Sequence, residues 1–131
     1  MGKTIEGART ARVIALLVTH DGSEWLPQVI SALFSQSYPI DEIIAVDTGS
    51  NDQSVSMLAN AKIKTIKLGR GDGFGDAINA GLANIPSRSE KLAKAYEEIE
   101  PEYLWILHDD FAPDSNALEH LVAEISRNPL I

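Results

Sequence analysis

The chain alternates four short apolar runs with segments of helical periodicity, and this alternation limits the fold more than any other feature. The apolar runs predict strands at residues 13–19, 42–47, 63–68 and 103–107. Between and after them, apolar residues recur at helical spacing over residues 26–34, 53–60, 74–82 and 118–125. Strands that alternate with helices form βαβ units with right-handed crossovers. We therefore predict an α/β fold with a mostly parallel sheet and helices on both faces.

Local patterns add detail to these elements. Residues 63–68 alternate apolar and polar side chains and so predict a strand near the sheet edge, whereas the continuous apolar run 103–107 predicts a buried strand. Ser23 is the expected N-cap of the first helix, and Asp114 or Ser115 that of the last. The third helix is expected to turn one apolar stripe inward, formed by Phe74, Ala77, Ile78, Gly81 and Leu82.

Composition restricts the class of partner. The formal net charge is −8, which argues against nucleic acid and anionic membranes as partners. The chain has no cysteine, so disulfides and thiolate metal sites are excluded and a cytoplasmic location is expected. The longest apolar run, residues 13–18, is too short to span a bilayer, and no signal-peptide pattern precedes it. We expect a soluble segment, which leaves open a membrane-associated parent protein.

The chain of 131 residues fits a single domain, and residues 1–131 are predicted to form one. Residues 1–10 are expected to be a disordered tail. Residues 86–102 are polar and charged, and they predict a solvated insertion in front of the fourth strand. A surface helix over residues 90–99 is expected within this insertion.

Polar residues follow each of the four predicted strands. In chain order they are Thr19-His20-Asp21, Asp47-Thr48, the loop at residues 69–75, and His108-Asp109-Asp110. Ligands of open α/β sheets bind beyond the carboxyl ends of the strands. Because these ends meet at one edge of a parallel sheet, we expect the four clusters to form one site.

The clusters after the first two strands have both a ligand-binding and a structural explanation. Asp47 can accept hydrogen bonds from a nucleobase or a ribose, or it can cap the turn that begins at Thr48. His20 and Asp21 can flank a base or contact its phosphates, but a lone loop histidine is usually a solvated residue, and the residue by itself favours that interpretation. The residues alone leave both alternatives open.

The glycine-rich loop at residues 69–75 lacks the glycine spacing of a dinucleotide-binding motif, and no Gly-Lys-Ser/Thr phosphate loop occurs. Its glycines, including Gly71 and Gly73, still allow a ligand to approach the backbone and a helix N-terminus closely. Asn79 on that helix can bind sugar or phosphate, or it can be a polar surface residue. Asp76 is explained by the helix dipole alone.

The run His108-Asp109-Asp110 places an imidazole and two acids directly after an apolar strand. Neighbouring carboxylates repel each other, so either a solvated strand exit or a cation site explains the pattern. A diphosphate bound at the same edge favours the cation, because the ion would bridge acid and phosphate. The residues therefore predict a nucleotide-diphosphate site that depends on a divalent metal, Mn2+ or Mg2+.

Five motifs, in this order, resemble those of the family 2 inverting glycosyltransferases. They are Leu17-Val-Thr-His-Asp21, the helix that ends in Gln36-Ser-Tyr-Pro39, Glu42-Ile-Ile-Ala-Val-Asp-Thr-Gly-Ser-Asn-Asp52, Gly73-Phe-Gly-Asp-Ala-Ile-Asn-Ala-Gly81 and Trp105-Ile-Leu-His-Asp-Asp110. The last stands where the family has an Asp-x-Asp motif. The resemblance extends over residues 13–127.

The resemblance implies a GT-A fold, of which this chain would be the truncated, Rossmann-like nucleotide-binding half. It implies a nucleotide-diphosphate sugar as donor and a glycan or lipid-linked sugar as the unidentified acceptor. The residues implied to contact base and ribose are Thr19, His20 and Asp47. Residues 71–76 and Asn79 would lie along the diphosphate-sugar. Asp110 would bind the metal, and Asp109 would lie near the ribose or the metal.

The chain departs from the family pattern at two points. His108 stands at the first position of the acidic motif, where it either ligates the metal or leaves two acids to hold it. The family's catalytic base comes from a later segment and is expected beyond Ile131, so the catalytic residue is unknown. Two alternatives are a nucleotidyltransferase of related fold and a non-catalytic nucleotide-binding or assembly domain.

Overall fold

A computed structural model of the protein describes residues 11–85 and 101–127. The predicted tail at residues 1–10 and the helix predicted at 90–99 lie outside the described residues, as does all but the end of the predicted insertion. The strands are β1 (Arg12–Thr19), β2 (Glu42–Asp47), β3 (Lys64–Lys67) and β4 (Glu102–His108). The helices are α1 (Leu26–Phe34), α2 (Ser54–Asn60), α3 (Phe74–Ala83) and α4 (Ala117–Arg127).

The four described strands form one sheet in the order β3-β2-β1-β4, and every neighbouring pair is parallel. The register pairs Thr19 with Asp47 and Val18 with His108, so the carboxyl ends of β1, β2 and β4 are level. From β1 the chain proceeds to one side through β2 and β3 and then returns to the other side of β1 for β4. The reversal between β1 and β4 is the usual ligand-binding point of such sheets.

Helices cover both faces of the sheet, as predicted. On one face, Leu17 of β1 packs in a core with Leu26 of α1 and Leu58 of α2. On the other face, Leu16 packs in a core with Ala77 of α3. A third cluster joins Leu118 and Val122 of α4 to Val13 and Tyr38, near the amino end of β1. The predicted α/β class is confirmed.

The strand predictions differ from the structure chiefly at β4. β2 has the predicted bounds, and β3 lies at the sheet edge as expected. The expectation that residues 103–107 form a buried strand was wrong, because only Leu107 is buried and Ile106 is 44% exposed. Among the described residues β4 pairs with β1 alone, so one of its edges and part of its side-chain surface remain open.

The predicted helix caps were wrong. α1 begins at Leu26, and Trp25 occupies its N-cap position. Ser23 lies in the turn before α1, where its amide donates to the Asp52 carboxylate. α4 begins at Ala117, after the predicted caps Asp114 and Ser115. A hydrogen-bonded backbone turn precedes each helix: the Leu26 amide donates to the Gly22 carbonyl, and the Ala117 amide donates to the Asp114 carbonyl.

The apolar stripe of α3 is narrower than predicted. Ala77 and Gly81 are buried, whereas Phe74 and Leu82 are about half exposed, at 49% and 47%. A Cβ on Gly81 would lie 2.5 Å from Leu16 Cδ1. The helix therefore approaches β1 through its two small residues, and the larger side chains flank the contact.

Candidate functional site

Thr19 and Asp47 end neighbouring strands and are joined by a hydrogen bond. The Thr19 hydroxyl donates to Asp47 Oδ1 at 2.6 Å, and Asp47 is only 1% exposed. Oδ1 also accepts the Ser50 hydroxyl at 2.6 Å, while Oδ2 accepts the Ser50 amide at 2.8 Å. Asp47 therefore caps the turn after β2, one of the two roles considered for it, and its contact with a base stays a prediction.

His20 has an oriented ring. Nδ1 lies 2.9 Å from the Thr48 carbonyl oxygen and 2.9 Å from the Thr48 hydroxyl. Because a carbonyl oxygen can only accept, Nδ1 carries the proton in the neutral ring and Nε2 is left as an acceptor. Nε2 lies 3.7 Å from Asp21 Oδ2. The ring is thus held against the turn after β2 and is not simply a solvated loop side chain.

Asp21 adopts a φ of 50° and connects three loops. Its Oδ1 accepts the Asn51 amide at 2.7 Å, and its Oδ2 accepts Arg70 at 3.0 Å. The Asn51 amide, followed by the Arg70 guanidinium, holds the pKa of Asp21 below its ordinary value. Sequence reasoning did not name Arg70, although it is the one basic side chain in the loop at residues 69–75.

Asp109 lies under the turn after β1. Its Oδ2 accepts the His20 amide at 2.7 Å, and the residue is 3% exposed. Burial raises the pKa of Asp109 and outweighs the lowering effect of the His20 amide and of His108. A Cβ on Gly22 would lie 2.2 Å from Asp109 Oδ2, so this close contact requires glycine. Gly22 was also missed from sequence, where its only signal was a glycine directly after the first strand-end cluster.

His108, Asp109 and Asp110 form a compact group at the end of β4. His108 Nδ1 lies 3.0 Å from Asp109 Oδ1 and 3.5 Å from Asp110 Oδ1. One ligand atom from each of the three residues lies within 4.8 Å of the others. The two carboxylates suit Mn2+ or Mg2+, an imidazole can also ligate Mn2+, and the side chain of Asp110 is 61% exposed. The three residues fit a divalent cation by donor type and spacing.

The glycine loop reaches the same edge at both of its ends. Arg70 contacts Asp21, and the ring of Phe74 lies 5.9 Å from that of His108 between centroids. Asp76 Oδ2 accepts the Gly73 amide at 2.9 Å and so caps α3 from within its first turn. The other predicted binding residues of this segment, Gly71, Gly73 and Asn79, are exposed.

A cleft of about 570 Å3 lies at the opposite edge of the sheet. It is lined by the ends of α1 and the starts of β2 and β3, including Phe34, Ile43 and Lys64. None of the predicted site residues lines it. Within the described residues, no helix has the length and apolarity to cross a membrane.

The strand order and the parallel strands match the fold of the nucleotide-binding half of GT-A-type α/β domains. A family model described as glycosyl transferase family 2 matches residues 15–131. The chain belongs to this family, as its motifs predicted.

Curated and solved relatives agree with the assignment. The poly-β-1,6-N-acetyl-D-glucosamine synthase of Staphylococcus epidermidis is 25% identical over 118 residues, which cover 87% of this chain and 25% of that protein. S. aureus TarS 1–349 in complex with UDP-GlcNAc has a TM-score of 0.70 at 17% identity, covering 90% of this chain and 32% of that one. A third relative is glucosyl-3-phosphoglycerate synthase from Mycobacterium tuberculosis, solved with Mn2+, UDP and glucosyl-3-phosphoglycerate. Its TM-score is 0.65 at 17% identity, and the match covers 92% of this chain and 42% of that one.

At these identities the structural likeness shows the fold alone. The chain spans between 18% and 30% of the length of the curated relatives it matches.

Proposed function

We propose that this chain is the donor-binding half of a glycosyltransferase and holds a nucleotide-diphosphate sugar at the carboxyl edge of its sheet. The observation that carries the proposal is the group His108, Asp109 and Asp110 in a family 2 domain, with Asp109 held by the backbone amide of His20. The sheet reverses its strand order at this point, where α/β domains bind ligands.

Asp110 and Asp109 are the proposed metal ligands, with His108 as the third. Asp109 is anchored by the His20 amide, whereas the exposed Asp110 is free to turn toward an ion. When held by these residues, Mn2+ or Mg2+ would act as a Lewis acid and stabilise charge on the departing diphosphate. Phe74 packs beside His108 and limits the positions of its ring.

Thr19, His20, Asp21 and Asp47 are proposed to form the wall for base and ribose. An ionised carboxylate offers about four acceptor positions, and the three hydrogen bonds to Asp47 leave one of them on Oδ2. Because Asp47 is only 1% exposed, a base imide or a ribose hydroxyl would reach that position only after the turn moves to admit it.

Gly71, Gly73, Asp76 and Asn79 are proposed to follow the diphosphate-sugar. The two glycines are exposed, and a Cβ on Gly71 would meet no atom within 4 Å, so a ligand can approach the backbone there. Asp76 would act by holding the start of α3, because its carboxylate caps the Gly73 amide. Inversion at the sugar carbon and transfer to a glycan or lipid-linked acceptor complete the proposal.

The relatives support a uridine nucleotide as the first donor to test. The solved TarS complex contains UDP-GlcNAc, and the mycobacterial synthase complex contains Mn2+ and UDP. We also propose a cytoplasmic location, which the absence of cysteine supports.

Calorimetry with UDP, GDP and dTDP, each with Mn2+ and then with a chelator, tests the proposal. We expect wild-type protein to bind at least one nucleotide only when Mn2+ is present. Asp110→Ala should weaken that binding by at least about tenfold, because a ligand of the ion is lost. Asp114→Ala removes an exposed acid just beyond the group and should bind like wild type. Heat with none of the three nucleotides, or equal heat without Mn2+, would contradict the proposal.

A further inference from the structure

Arg70 joins the loops that follow three different strands. It belongs to the loop after β3, and one terminal nitrogen donates to the Gly49 carbonyl after β2 at 2.7 Å. The other donates to Asp21 Oδ2 after β1 at 3.0 Å. A guanidinium can make two such bonds at once because its donors form a rigid, planar fork.

The loop after β3 lies directly against the turn after β2. Gly49 has a φ of +79°, and a Cβ at this position would lie 2.6 Å from both the backbone nitrogen and Cγ of Arg70. Only glycine allows this φ and this contact without strain. The position of Arg70 is thus determined by backbone packing as well as by its ion pair.

The contacts of Arg70 continue into the proposed nucleotide wall. Asp21 accepts the Asn51 amide, and its own amide donates to the Ser50 hydroxyl at 2.7 Å. That hydroxyl in turn donates to Asp47 Oδ1 at 2.6 Å. A continuous chain of hydrogen bonds therefore runs from Arg70 to Asp47.

Arg70 is also distinct in its location. The other arginines of the described residues, Arg12 and Arg127, lie at the start of β1 and the end of α4. Within the described part of the chain, Arg70 is thus the sole arginine at the carboxyl edge, where Asp21, Asp109 and Asp110 lie. Both of its terminal nitrogens are engaged by protein acceptors.

We propose that Arg70 is a positioning residue that clasps the loops after β1, β2 and β3 and thereby sets the affinity for the nucleotide. It acts through Asp21 and the Gly49 carbonyl, which hold the turn that carries Thr48 and Asp47. The inference rests on the proposed function, since it concerns the same nucleotide site.

Arg70→Ala and Arg70→Lys separate this role from simple charge attraction. The test measures the dissociation constant for UDP with Mn2+ by calorimetry, with GDP and dTDP in parallel. Arg70→Ala should weaken binding roughly five- to tenfold, the effect of losing hydrogen bonds to and from charged groups near the surface. Arg70→Lys should weaken it nearly as much, because an ammonium keeps the charge but cannot span both acceptors.

Arg127→Ala is the matched control, since Arg127 forms an exposed ion pair with Glu124 on α4. It should bind nucleotide like wild type. Hydrogen exchange supplies a second readout, because the Asn51 amide should exchange faster in both Arg70 variants while the amides of β1 remain protected. Melting temperatures should stay close to wild type, as the Arg70 side chain is about half exposed.

A double-mutant cycle with Asp21→Asn completes the test. If Asp21 and Arg70 act as one clasp, the double variant should bind no more weakly than the weaker single variant. Wild-type affinity in Arg70→Lys would show that charge alone matters and would overturn the inference, as would wild-type affinity in Arg70→Ala.

If wild-type protein binds none of the three nucleotides, the proposed function and this inference fail together. If wild type binds a nucleotide and both Arg70 variants bind it with the same dissociation constant, the inference about Arg70 is rejected and the proposed function stands.

Discussion

Gly22 has no side chain, and this allows the carboxylate of Asp109 to lie against it beneath the turn after β1. The nearest carboxylate oxygen would be only 2.2 Å from a Cβ, and Asp109 is almost fully buried. The same oxygen accepts the His20 amide. Gly22 therefore determines where Asp109, a proposed metal ligand, lies and allows its hydrogen bond with the His20 amide.

Replacing Gly22 by alanine should displace Asp109. We expect Gly22→Ala to lower the free energy of unfolding by about 1–3 kcal/mol, because a methyl group is forced into a packed site. Affinity for Mn2+ should fall at least about tenfold, since the carboxylate loses its position. Urea denaturation and Mn2+ titration measure the two effects. Gly69→Ala, whose Cβ would lie 3.5 Å from Asp72, is the control. Equal stability of both variants would contradict the steric argument.

Single residues also show where sequence reasoning stops. The strand-end position of Asp47 was predictable and its capping of the Ser50 amide was one of two alternatives, but its bond to Thr19 was not foreseen. Ser23 had the side chain of a helix cap, yet its amide is used by Asp52 and the helix starts later. In both cases the outcome depends on which partner the fold brings nearest.

At the level of elements, α3 shows how small residues set the distance between a helix and a sheet. Ala77 and Gly81 form its buried contact with β1, so Phe74 is not drawn into the core. Phe74 remains half exposed in the first turn and packs beside His108 instead. The close approach of α3 therefore also supplies a neighbour for the proposed metal group.

Gly81→Ala tests this packing. Alanine favours a helix by about 1 kcal/mol over glycine, but a Cβ here would collide with the fully buried Leu16. We expect overpacking to dominate, with a net loss of about 1 kcal/mol in the free energy of unfolding. Gly75→Ala lies in the same helix with no atom near the added Cβ and should stabilise the protein. Thermal unfolding of both variants measures the two effects. A Gly81→Ala variant more stable than wild type would contradict the predicted overpacking.

At the scale of the whole molecule, several carboxylates depend on hydrogen bonds that only the folded chain supplies. Burial by itself would raise the pKa of Asp52, but hydrogen bonds from Ser54 and Ser23 outweigh it and hold the pKa well below its ordinary value. A carboxyl with a depressed native pKa stabilises the fold fully above its unfolded pKa. That stabilisation is lost as the pH falls toward the native value.

Acid should therefore destabilise the protein partly through Asp52. The unfolding free energy of wild type should fall between about pH 5 and pH 2, and that of Asp52→Asn should fall less over the same range. Asp21, with a lowered pKa, and Asp109, with a raised one, act in both proteins and cancel in the comparison. Urea denaturation at several pH values measures the slopes, with Asp114→Asn as the exposed control. Parallel slopes in wild type and Asp52→Asn would contradict the prediction.

The sequence by itself determined the α/β class, the parallel sheet and the family. These follow from local patterns, because apolar periodicity selects strands and helices, and alternation of the two selects crossovers of one hand. The predicted bounds of β2 match those of the structure, and the family that the motifs predicted is confirmed. The shared carboxyl edge also followed, since parallel strands place their ends together.

Only the tertiary structure decided which polar atoms meet at that edge. The Thr19–Asp47 bond joins residues 28 positions apart, and the His20–Asp109 bond joins residues 89 positions apart. The clasp of Arg70 and the close contact of Gly22 likewise depend on loops from different strands. The exposure of β4 depends on its place in the sheet and not on its composition. Strand periodicity is a property of adjacent residues, whereas hydrogen-bond pairing and steric contact depend on distances that exist only after the chain has folded.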